Sequence, residues 1–157
     1  MTTSTDTGGH IVVGVDGSEG AQRALRWAIR QAELTGAALT VVMVWSVPLS
    51  AFTGPIPISS TDIAPPDTAG MQRANEQALE NLVSDALGVS AAVVATIVVE
   101  GHPAAELLVA AETADLLVVG RRGHHPFTGT RLGSVSARCV AHAGCPVVVV
   151  PSAKAGE

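Results

Sequence analysis

The sequence predicts an α/β domain in which a parallel β-sheet lies between two helix layers. Two observations carry that expectation. Short runs of Val, Ile and Leu alternate with segments of helical period along the 157 residues. Most of these runs are apolar throughout, as expected for strands buried on both faces. Strands that alternate with helices in this way join by right-handed crossovers, and ligands bind at the carboxyl ends of such strands.

Ile11-Val12-Val13-Gly14-Val15 reads as the first strand, closed by Asp16-Gly17-Ser18, a turn and helix N-cap signal. Residues 19–35 then read as a helix, with Ala21, Leu25, Ala28 and Ala32 on one face and Gly36 as C-cap. Leu39 to Trp45 is a second strand. Residues 47–70 break the pattern, with Pro48, Pro55, Pro57, Pro65 and Pro66 among small polar residues. A loop this long is either functional or mobile. A helix is expected from near Met71 to about Leu87, ending at Gly88, with Ala74, Ala78, Leu82 and Leu87 as its buried stripe. Val93 to Val99 is a third strand, and Pro103 opens a short helix to about Thr113. Leu116 to Val119 is a fourth strand, Gly133-Ser134 begins a helix ended by Gly144, and Pro146 to Val150 is the last strand. The expected organisation is a flexible segment 1–9, one domain over 10–151 and a flexible tail 152–157.

Composition narrows the function. Aromatics are 3% with no Tyr, which leaves few stacking platforms for single-stranded nucleic acid. A net charge of -5 argues against general binding to nucleic acid or an anionic membrane, so a phosphate ligand must be held by local donors. No apolar run approaches the ~20 residues of a membrane helix. Met1 to Gly9 lacks the basic start and apolar core of a signal peptide. Cys139 and Cys145, six apart, fit no common zinc pattern and read as small buried side chains. The protein is expected to be soluble, reduced and cytoplasmic.

The most informative segment is Gly120-Arg121-Arg122-Gly123, followed after nine residues by Gly133-Ser134. Glycines there admit close approach of a ligand to the backbone. A helix starting at Gly133-Ser134 leaves N–H groups pointing outward, which suits a phosphate. Ser134 and Ser136 add hydroxyls, and Arg121, Arg122 and Arg131 add positive charge, with Arg121 favoured near the ligand. The segment is neither the P-loop nor the dinucleotide fingerprint, so P-loop hydrolysis and nicotinamide chemistry are not expected.

The pattern Gly120-x-x-Gly123-x9-Gly133-Ser134 resembles the ATP-binding signature of the universal stress protein family. Gly14-Val15-Asp16-Gly17-Ser18, Ala114 to Gly120 and Cys145 to Pro151 are similar to that family's opening motif and its fourth and fifth strands, so the resemblance spans residues 10–151. It implies a Rossmann-like, adenine nucleotide alpha hydrolase-like fold of five parallel strands in the order 3-2-1-4-5. It also implies ligand roles. Asp16 would sit near the ribose or a Mg²⁺, Val44 would offer backbone groups to the adenine edge, and Gly14 would give clearance. Gly120, Arg121, Gly123, Gly133, Ser134, Val135 and Ser136 would line the ribose and phosphates. ATP is the expected ligand, with AMP and cyclic AMP as alternatives. An interaction module without nucleotide is a third reading. His124-His125-Pro126-Phe127 departs from the small or basic residues of many members and bears on the charge at the phosphate end.

Asp16 also suits a capping role, and the two roles can coexist. His124 and His125 stand adjacent without a nearby Cys or carboxylate cluster, so a metal site is not expected there. His10 and His142 are expected at the surface, and Trp27 and Trp45 are expected to pack. There is no Ser–His pair, carboxylate dyad or placed base, which leaves at most slow ATP hydrolysis and favours a nucleotide-dependent sensor or regulator. The family order places Val147, Val148, Val149 and Val150 at a sheet edge, which predicts a homodimer paired along that strand. A protein partner is expected but not identified.

Overall fold

Each apolar run forms a strand and each periodic segment a helix. In chain order they are β1 (His10–Val15), α1 (Glu19–Thr35), β2 (Ala38–Trp45), α2 (Thr68–Leu87), β3 (Val94–Glu100), α3 (Pro103–Ala111), β4 (Leu116–Gly120), α4 (Ser134–His142) and β5 (Val147–Val150). This computed structural model describes residues 8–48, 65–123 and 132–152. Arg131, His124, His125 and most of the proline-rich 47–70 segment lie outside the described residues. The sheet is parallel at every pairing and has the order β3-β2-β1-β4-β5.

Local chemistry explains the helix ends. Ser18 caps α1, its Oγ accepting the Ala21 N–H at 3.2 Å, and Gly36 closes the helix in the left-handed region at φ 70°. Asp67 caps α2 by accepting the Gly70 N–H at 2.8 Å, and Pro103 opens α3. The α1 stripe is buried as expected, with Ala24 and Ile29 added to Ala21, Leu25, Ala28 and Ala32.

The α2 stripe is buried only in part, with Leu82 and Leu87 half-buried against the core. Ala74 and Ala78 are exposed, and the buried residues are Leu79 and Val83. Alanine discriminates weakly between helix faces, and α2 covers only the β2–β3 side of the sheet. The expectation of strands buried on both faces also fails at β3. Ala95, Thr96 and Ile97 are exposed, Ile97 at 45%, because β3 is the outermost strand and α3 packs over β2 and β1 instead. The other edge, β5, is half-buried over Val147 to Val149.

Alternating side chains divide the interior into two cores. Val13, Val15, Leu39, Val41 and Met43 meet α1 and α2 on one face. Val12, Val42, Leu117 and Val119 meet Leu107 of α3 and Cys139 of α4 on the other. A fully buried Leu or Val contributes about 1.5–3 kcal/mol through removal of apolar surface from water. Burial raises the Cys139 thiol pKa above its ordinary value, and Cys145 is half-buried. At the amino ends of the strands, His10 and Asp115 exchange backbone and side-chain hydrogen bonds, and the half-buried His10 ring lies 2.8 Å from Thr40 Oγ1. Among the described residues, no helix is long and apolar enough to cross a membrane.

Candidate functional site

The chain leaves β1 for β2 on one side and, after α3, enters β4 on the other. The carboxyl ends of β1 and β4 therefore diverge into a crevice, the usual ligand position in an open α/β sheet. The Asp16-Gly17-Ser18 turn forms its rim. Gly17 takes φ 81°, a backbone conformation that glycine admits without strain. Asp16 Oδ1 accepts both the Ser18 N–H, at 2.9 Å, and the Ser18 hydroxyl. Asp16 thus builds the turn, while Ser18 is the residue that caps α1.

The glycine loop is held by backbone contacts. The Arg121 N–H donates to the Val150 carbonyl at 2.9 Å, and the Arg121 carbonyl accepts the Gly133 N–H at 2.8 Å. Ser136 Oγ, buried, lies 2.9 Å from that same carbonyl and 3.1 Å from the Gly133 carbonyl. Gly120 approaches the start of α1 so closely that a Cβ would fall 2.9 Å from the Gly20 carbonyl carbon. A Cβ on Gly20 would in turn meet the Arg122 carbonyl oxygen at 2.9 Å. Gly123 packs against Asp16, where a Cβ would fall 2.5 Å from Oδ2.

These contacts revise the donor inventory expected of the loop. The Gly133 amide is turned inward to Arg121 rather than outward, and the Ser136 hydroxyl proton serves a carbonyl. The first bond within α4 runs from the Ala137 N–H to the Gly133 carbonyl. The amides of Ser134, Val135 and Ser136 precede it and have no acceptor inside the helix. Helix geometry makes these three the donors that a helix start offers to a ligand.

The crevice has a volume of about 410 Å³, within the range of small-molecule sites, roughly 300–1,000 Å³. Nine of the ten residues named from the sequence line it: Gly14, Asp16, Val44, Gly120, Gly123, Gly133, Ser134, Val135 and Ser136. The tenth, Arg121, contributes its peptide groups to the loop, and the arginine among the described lining residues is Arg122. Gly14 gives clearance first to Leu107, whose methyl carbons would lie 2.7 and 2.8 Å from a Cβ there. Ser46 follows the carboxyl end of β2, and Pro103 and Leu107 belong to α3, which follows β3. Asn75 of α2 has no counterpart in any motif of the sequence, and only its helical position brings it to the crevice. Among the described residues no group of three or more His, Cys, Asp and Glu is placed to hold a metal ion.

The family model of the universal stress protein family matches residues 9–151. The chain belongs to the universal stress protein family. The universal stress protein MT2698 of Mycobacterium tuberculosis is 37% identical over 148 residues, covering 89% of this chain and 46% of the relative. The chain thus spans about half the length of the curated relatives it matches. A crystal structure of a universal stress protein in complex with cAMP superposes with TM-score 0.64 at 26% identity, covering 92% of this chain and 98% of the other. The universal stress protein from Archaeoglobus fulgidus in complex with dAMP shares the fold, with TM-score 0.55 at 23% identity over 89% of this chain and 95% of the other.

Proposed function

We propose that the chain binds an adenine nucleotide in the β1–β4 crevice, ATP in preference to its monophosphates, and acts as a nucleotide-dependent regulator. One observation carries the reading: a cleft of ligand size is lined at one end by Arg122 and by Ser134, Val135 and Ser136 of the first turn of α4. Amides of a helix start and a guanidinium suit a phosphate chain. The apolar strand ends at Val42 and Val44 suit a base, with the Val44 peptide at its edge. Support comes from the cAMP and dAMP complexes of the two similar structures.

Magnesium fits only as a companion of the phosphates. Asp16 is the one carboxylate among the described lining residues, and its Oδ1 already holds Ser18. Mg²⁺ usually keeps several waters and takes one or two carboxylates plus phosphate oxygens, which this site can supply with ligand present. Holding of nucleotide rather than turnover is the activity this donor set suits. A second copy paired along β5 is the proposed assembly, supported by its edge position and its run of four valines. Cyclic AMP is the second reading, favoured by the 26% identical structure.

Two measurements test this. Mass analysis of nucleotide released from denatured protein identifies the natural ligand, and calorimetric titration with ATP, AMP and cyclic AMP ranks the candidates. ATP binding most tightly is the expected result. Cyclic AMP binding most tightly moves the assignment to the second reading, and no binding of any of the three overturns it.

A further inference from the structure

Resting on the nucleotide reading, we infer that Asn75 is the side chain that distinguishes a 6-amino purine from a 6-oxo purine in this cleft. The polar groups lining the crevice divide by position. Arg122, Ser134 and the α4 amides stand at the loop end, and Asp16 and Ser18 are bonded to each other at the rim. Across the ends of β1 and β2, beyond Val44, the polar side chains are Ser46 and Asn75.

Asn75 is oriented before any ligand arrives. Its Nδ2 donates to the Met71 carbonyl at 2.9 Å. A carbonyl only accepts, so the nitrogen side of the amide must face Met71, and Oδ1 is the acceptor turned from it. The helix carrying Asn75 is itself anchored to the strand ends. Gln72, one turn earlier, accepts the Trp45 indole N–H at 2.6 Å and donates to the Val98 carbonyl at 3.1 Å. Asn75 is half-buried, so a hydrogen bond made there is partly shielded from water.

The chemistry then discriminates. Adenine carries an amino donor at position 6, and hypoxanthine carries a carbonyl acceptor there. The Val44 peptide is unchanged by substitution at Asn75, so whatever preference it imposes is common to wild type and variant. A fixed acceptor at Asn75 rewards the amino group and meets the carbonyl with a second lone pair. A site built to hydrogen-bond one group loses affinity for an analogue that lacks it.

Titration of the full chain with ATP and inosine triphosphate, which differ at position 6 and in the proton on N1, tests this in wild type and Asn75→Ala, and the change in their ratio on substitution isolates Asn75. Wild type is expected to prefer ATP. The variant is expected to lose roughly tenfold in ATP affinity, about one hydrogen bond, while inosine triphosphate binding is retained and shows the cleft intact. A variant with an unchanged ratio of the two affinities overturns this inference alone. A wild-type protein that takes up neither nucleotide overturns the nucleotide reading and this inference with it.

Discussion

The two ends of the crevice are made of different material. The loop end is built from backbone: the Arg121 carbonyl receives the Gly133 N–H, and Gly20 and Gly120 bring α1 and β4 within van der Waals contact. The far end is built from side chains, with Gln72 tying α2 to Trp45 and Asn75 reaching the cleft. Added atoms should therefore damage the first end, and removed atoms the second.

The largest effect is expected at Gly120→Ala. Its new Cβ would press on Gly20 main-chain atoms at 2.9 and 3.0 Å, which cannot swing aside. The cost is about 3 kcal/mol, near the upper end for overpacking, read by denaturant unfolding. The loop should shift with it, weakening ATP by roughly tenfold or more. Gly144→Ala is the control, because nothing lies within 4 Å of a Cβ there. If both substitutions prove equally harmless, the loop end is not the rigid one.

Gln72→Ala comes next. It leaves the buried Trp45 indole N–H without its acceptor, which costs about 1–2 kcal/mol and should shift tryptophan emission. Ser136→Ala is expected to cost less, about 0.5–1 kcal/mol. The Gly133 N–H still serves the Arg121 carbonyl in that variant, so a hydroxyl deleted from a backbone-built region matters little. The smallest effect is a pH dependence at Cys139, one turn below Ser136. Burial raises this thiol's folded pKa, so the unfolded chain ionises it first. Its contribution to stability is complete below the ordinary thiol pKa of about 8.5 and is lost as pH rises from there through the folded value. Cys139→Ala should flatten the decline of stability in alkaline urea titrations.

Legibility in the sequence follows the same division. Gly120, Gly123 and Gly133 announce themselves through spacing along one local stretch. Gly20 does not, because its need for a missing Cβ arises from Arg122 and Gly120, about a hundred positions away. Asn75 was equally silent, since an asparagine in a polar helix face looks the same whether it meets solvent or a cleft. The strand order 3-2-1-4-5 came with the family resemblance, and the alternation of elements alone yielded the layers. The exposed face of β3 was hidden by composition: an apolar strand reads alike at the centre and the rim of a sheet. Ala74 and Ala78 misled because alanine is at home on either side of a helix.

The backbone of residue 121 clasps the edge strand β5 with one hand and the start of α4 with the other. Neither grip involves the arginine side chain. Amino acids other than arginine can therefore keep these two backbone bonds. Proline is the exception, because it alone lacks the hydrogen that reaches Val150.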